Sequence, residues 1–199
     1  MPGAAPSRLP ALLALPWAAL LAAALAWGES PTHLSVRVAL LFYAVAVGLL
    51  VSLDRAGWRA ATTPGRLARA AWALGAAAFL VHVVLAFHHH HGWSHAEAVR
   101  HVERASGFGP GVFFSYLFTL LWSADAAWWL LAPRAYAARP AWVGRALHGY
   151  LAFIAFNATV VYEAGPVRWA GLSCCTLLAF VALAARRGRG QPSLGELSP

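Results

Sequence analysis

Seven of the nine histidines in this 199-residue chain fall between positions 82 and 101. Four are consecutive, His88 to His91, at the end of an apolar run; His95 follows Gly92-Trp93-Ser94, with His82 before the cluster and His101 after it. Neutral imidazole presents a nitrogen lone pair that suits Zn, Cu, Fe or Ni. On an unbroken helix His88, His91 and His95, spaced i, i+3 and i+7, would share a face. They are the expected metal ligands, with Glu163 as a carboxylate ligand and His82, His89 or His101 as substitutes. Gly92 and the cap-forming Ser94 interrupt the helix, so convergence depends on the turn between them. The competing reading is that these rings simply occupy a membrane headgroup region. The pattern is less specific than H-E-x-x-H or paired C-x-x-C.

A second constellation lies inside apolar sequence. Asp125 and His148 each sit about seven residues from one end of consecutive apolar runs, ~10 Å deep at ~1.5 Å per residue. A carboxylate at that depth must be paired, protonated or hydrated. The expectation is a buried polar pair, Asp125 with His148, joined directly or through water; Arg145 is the alternative partner. Such a pair would lock two helices or relay protons. Haem b is a further reading, since histidines on two helices can ligate one iron. However, His82 lies ~20 Å from the edge from which His148 is ~10 Å deep, so those two make a poor axial pair. A single histidine cluster does not match the several boxes of a di-iron hydroxylase. No G-x-S-x-G surrounds an intramembrane serine, as a rhomboid-type protease would require.

The elements that must position these groups are apolar helices. Sixty per cent of residues are hydrophobic and 11% charged, which is too apolar for a soluble domain. The expected fold is all-α, a polytopic transmembrane bundle forming one domain over 1–187, with spans near 9–27, 34–53, 70–87, 112–132, 141–162 and 167–185. The first run also fits a secretory signal, whose removal would leave five spans. Ser94-His-Ala-Glu97 fits a capping box opening a short interfacial helix at about 95–105. Gly75-Ala-Ala-Ala offers a close-packing surface, and 188–199 reads as a disordered tail. Ala152, Ala155 and Thr159 share a face that could be a packing seam or a narrow path. Cys174 and Cys175 are adjacent in an apolar run and read as packing thiols.

The net charge of +8 comes entirely from arginine, and the arginines lie in short connections, a pattern of topology control that excludes a nucleic-acid face. With both termini cytoplasmic, the inner segments hold Arg8, Arg55, Arg59, Arg66, Arg69, Arg134, Arg139, Arg145, Arg186, Arg187 and Arg189. The outer ones hold Arg37, Arg100, Arg104 and Arg168. This asymmetry places the protein in the cell (inner) membrane with the histidine cluster outside. Trp27, Trp93 and Trp169 fall at outer boundaries and Trp128, Trp129 and Trp142 at inner ones, as in an aromatic belt.

Trp93-Ser-His95, Trp122-Ser-Ala-Asp125-Ala-Ala-Trp128-Trp129 and Phe156-Asn-Ala-Thr-Val-Val-Tyr-Glu163 resemble stretches of uncharacterised bacterial multi-span membrane proteins, over roughly residues 80–170. That group has no assigned activity, so the resemblance implies architecture and no mechanism. The expected partner is the lipid bilayer. Two functional readings follow: a membrane protein with a histidine-rich transition-metal site at its outer face, and a non-catalytic subunit or assembly factor of a larger membrane complex.

Overall fold

The computed structural model describes residues 30–60 and 62–189. The run 9–27, whether span or signal, and the tail from 190 lie outside the described residues. Helix α1 covers Pro31–Ser52 and is capped by Ser30, whose hydroxyl accepts from the His33 amide at 3.4 Å. Proline at the first helical position has no amide hydrogen to lose there. His33, placed by sequence in a connection, therefore stands in the first turn of this helix.

Short helix α2 (Arg55–Arg59) is capped by Asp54, and α3 (Thr63–His89) by Thr62. Pro64-Gly65, a turn signal in the sequence, instead begins α3. A Cβ on Gly65 would lie 2.6 Å from the Gly57 carbonyl, so only glycine lets these helices approach so closely. Arg69 ties them together by donating to the carbonyls of Trp58 and Ala60, at 2.9 and 3.2 Å.

Helix α3 ends in a tight reversal, because Gly92 and Trp93 both adopt positive φ, 51° and 61°. The expected interfacial helix follows as α4 (His95–Ser106), with Ser94 accepting from the Glu97 amide and Gly107 closing it at φ 76°. The Glu97 carboxylate pairs with Arg100. A 3-10 turn at Gly109–Gly111 leads into α5 (Val112–Leu131), α6 (Pro133–Ala138) and α7 (Ala141–Phe156). A π-helical segment, Asn157–Val161, prolongs α7, and α8 (Gly165–Arg189) completes the described chain. The Arg168 guanidinium donates to the carbonyls of Val160 and Val161, which the π-turn leaves open. Asn157 donates to Phe153 in its own helix and does not reach across to another.

The described residues are all-helical, without strands. Three helices are long and apolar enough to cross a membrane: Pro31–Ser52, Thr63–His89 and, at Gly165–Arg187, the last. These match three of the six expected spans. Val112–Leu131 is long enough but is diluted by Asp125, Ser115, Ser123, Thr119 and three tryptophans, while Ala141–Phe156 is only 16 residues before the π-turn.

The core lies among α1, α3, α5 and α7 and is dominated by aromatic rings. Tyr43, Trp72, Trp122 and Phe79 meet at centroid separations of 5.4–5.7 Å. Gly75 makes this packing possible, since a Cβ there would sit 2.8 Å from Cζ2 of the buried Trp122. Trp129, assigned by sequence to an aromatic belt, is instead buried and stacks on Tyr136 at 4.8 Å with a 6° interplanar angle. Trp93, Trp128, Trp142 and Trp169 are exposed.

Candidate functional site

The two ends of α1 carry different chemistry. Near its start, a cavity of about 330 Å³ is lined by His33, His82, His90, His91 and His101 together with Tyr116. His90, His91 and His101 form a triangle of rings with centroid separations of 5.1, 6.2 and 6.4 Å, and His33 stacks on His90 at 6.4 Å. Helix α4 supplies His101, the cap and turn just after α3 supply His90 and His91, and α1 supplies His33. The Gly92-Trp93 reversal is what folds α4 back over α3.

His82 is oriented by its backbone contact. Its Nδ1 lies 2.9 Å from the Thr32 carbonyl oxygen, which can only accept, so Nδ1 carries the proton and Nε2 keeps the lone pair. Metal-ligating histidines commonly use this carbonyl contact to fix tautomer and ring direction. His91 and His101 are held below the ordinary imidazole value, first by burial and then by neighbouring positive groups: His101 and His90 for the former, His90 and Arg104 for the latter. Both favour the neutral, lone-pair form. The His91 Nδ1 is buried without a well-aligned hydrogen-bond partner.

The predicted ligand set is only partly gathered here. His91 lines the cavity, as do the substitutes His82 and His101, but His88 does not; it pairs edge to face with His89 at 4.8 Å, and both are exposed. His95 lies beyond the positive-φ break, so the i, i+7 relation to His88 is lost. Its Nδ1 instead meets the Tyr116 hydroxyl at 2.9 Å. Glu163 is exposed beyond the π-turn and does not line the cavity. Sequence reasoning missed His90 as a ligand candidate, although it lies between two residues that were considered. As the side chains stand, no group of three His, Cys, Asp or Glu residues among the described residues is placed to hold a metal ion.

The opposite end holds a buried ionic network. Asp125 accepts from Trp72 Nε1 at 2.9 Å, Tyr136 hydroxyl at 3.0 Å and Arg139 Nη1 at 2.5 Å. Arg139 Nη2 donates to the Tyr136 oxygen at 3.0 Å and to His148 Nε2 at 3.2 Å, and its guanidinium lies 3.8 Å over the Tyr136 ring. The side chains of Arg139 and Asp125 are 2% and 0% exposed, so the pair is fully desolvated. Burial and then the Asp125 charge hold the Tyr136 phenol above its ordinary value, keeping it a donor.

This corrects the expected pair. Asp125 and His148 share one network, but Arg139 stands between them and Arg145 is not Asp125's partner. Residue 139 was read as a loop arginine; the Pro133-initiated helix α6 turns it inward. Gly144 packs beside it, where a Cβ would make ordinary contact with Nη2 at 3.4 Å. His148 Nε2 is occupied by a pure donor, so it is not open to ligate a haem iron.

Compared with protein-family models, with curated proteins and with solved structures, the chain matches none.

Proposed function

We propose that the chain is an integral membrane protein whose histidine-lined end takes up a transition-metal ion of the Zn, Cu, Ni and Fe group. The observation that carries this reading is the gathering of five histidines from three helices on one cavity. For a metal with three imidazoles at nitrogen distances of ~2.0–2.1 Å, ring centroids lie roughly 5 Å apart. The triangle of His90, His91 and His101 is near that size, and rotation of the exposed His90 and His101 side chains brings their nitrogens inward. His82 presents a free Nε2 as a further donor.

In this proposal the bundle has six spans. Val112–Leu131, at 20 residues, covers ~30 Å, the thickness of the hydrocarbon core. The one charged residue of that helix, Asp125, is satisfied by Trp72, Tyr136 and Arg139. The arginine distribution supports placing the histidine end outside the cytoplasm and both termini inside.

The test is equilibrium dialysis of the purified full-length protein against Zn²⁺, Cu²⁺, Ni²⁺ and Fe²⁺ in turn, followed by elemental analysis and an absorption spectrum. The expected result is about one ion per chain, abolished in the triple variant H90A/H91A/H101A and kept in H88A/H89A. A preparation that gains no metal overturns the reading, and a haem spectrum replaces it with the electron-transfer alternative. The subunit alternative draws on α8, none of whose membrane-length residues is fully buried within the described chain. Stoichiometric co-purification with another membrane protein, without metal, would favour it.

A further inference from the structure

At the arginine end a cavity of about 460 Å³ opens between α1, α2, α7 and α8. Arg55, Arg139, Arg145, His148 and Arg186 line it, and no carboxylate does. Arg139 is committed to Asp125, but Arg55, Arg145 and Arg186 make no ion pair among the described residues. Two buried donors in residues of this wall have no acceptor. Arg139 Nε is one; His148 Nδ1 is the other, protonated because Nε2 accepts from Arg139. His148 is half-buried and Arg139 3% exposed, and the two orphan donors are closed off from solvent, so they belong to the fixed floor of the cavity. Three unpaired guanidiniums around one opening, with no carboxylate among the described lining residues, attract an oxyanion.

The same cavity continues into apolar space. Tyr43, Val47 and Ala152 line it and also line a groove of about 580 Å³ between α1, α7 and α8. That groove is walled by Leu40, Leu41, Phe156, Leu178 and Ala179, and its only charged residue is Arg37. Leu178 and Leu40 are at mid-helix depth, so the groove runs along the direction a lipid chain takes. Basic pockets between membrane helices bind the phosphates of anionic lipids.

We infer that this end of the protein binds an anionic phospholipid, its phosphate held by Arg55, Arg145 and Arg186 and one acyl chain lying in the groove between α1 and α8. The head is neutralised by the unpaired guanidiniums of Arg55, Arg145 and Arg186. The chain covers apolar surface that the protein's own helices leave open. The headgroup end of the site lies ~25 Å along α1 from the histidine cavity, counted from His33 to Leu50, while the far end of the groove meets that cavity at Leu40 and Ala155. None of the histidines of the triangle lines the groove, so the proposal does not depend on a bound metal.

Native mass spectrometry of the full-length, chelator-treated protein in detergent tests it, with three probes titrated separately: dioleoylphosphatidylglycerol, dioleoylphosphatidylcholine and inorganic phosphate. The expected result is retention of one phosphatidylglycerol, favoured about tenfold over phosphatidylcholine, with the preference lost in R145Q/R186Q. Arg145 and Arg186 are exposed, so this variant keeps the fold. A152F, which fills the groove while leaving the arginines in place, is expected to reduce retention of the lipid and to leave its headgroup preference unchanged. Equal retention of the two lipids, or a preference unchanged in R145Q/R186Q, overturns the inference. Retention of phosphate with no lipid bound also overturns it, marking a free-anion site. Undiminished lipid retention in A152F removes the acyl groove from the proposal.

Discussion

At the scale of single residues, Asp125 and Arg139 show what burial demands of charge. Each is worth little to stability as a pair, since desolvation consumes most of their attraction, but removing one partner strands the other. R139Q is expected to destabilise the protein by ~3–5 kcal/mol and D125N by a comparable amount. The double variant should lose far less than the sum, because neither charge is then left alone. Thermal midpoints of the four proteins in one detergent check this, and simple additivity would contradict the network. That Asp125 needed a partner was legible from its apolar neighbours, but His148 joins it only through Arg139. Arg139 was not legible, because a helix of six residues set its direction and a positive charge in a short connection also serves topology. At the other end, His91 and His101 make a pH prediction. Their protonation is disfavoured in the fold, so their contribution is full above the ordinary imidazole value of ~6.5 and is lost as pH falls below it, where the unfolded chain takes up protons first. Stability measured at pH 7.5 and 5 should therefore fall toward acid, with a smaller fall in H91A/H101A. An equal fall in both would contradict the assignment.

At the scale of elements, capping and small residues set most of what is seen. Ser94 and Gly107 delimit α4 as their residue types predict, and Gly75 opens the seam between α3 and α5. G75A would gain about 1 kcal/mol of helix propensity, against a cost of ~1–3 kcal/mol for forcing Cβ onto the Trp122 ring. That ring is held by Tyr43, Phe79, Trp72 and Phe118 and has nowhere to move. The expected outcome is net destabilisation, read as a lower thermal midpoint; a raised midpoint would contradict the packing. Helix positions and most boundaries were legible from hydropathy and caps. The α3–α4 reversal was not, because Trp93 takes a left-handed conformation that its residue type does not announce. That one reversal took His95 away from the cavity and set His101, expected only as a substitute ligand, on its wall. Pro64-Gly65 is ambiguous for a related reason: the same dipeptide serves a turn or a helix start, and here the close approach of α2 goes with a helix start.

At the scale of the whole molecule, the bundle separates two chemistries along its length, imidazoles at one end and guanidiniums at the other. Composition announced the membrane, and the described helices bear out three long apolar elements. The proposed orientation makes a direct prediction. In a background lacking Cys174 and Cys175, A96C on α4 should react with a membrane-impermeant maleimide in intact cells, and A138C at the end of α6 should not. The reverse pattern would invert the topology. The central claim, a metal held by the histidine end, is tested most directly by X-ray absorption of the zinc-loaded full-length protein. The account predicts nitrogen ligands at ~2.0–2.1 Å with imidazole outer-shell scattering, both lost in H90A/H91A/H101A. An unchanged spectrum in that variant, or zinc coordinated without imidazole, would contradict it.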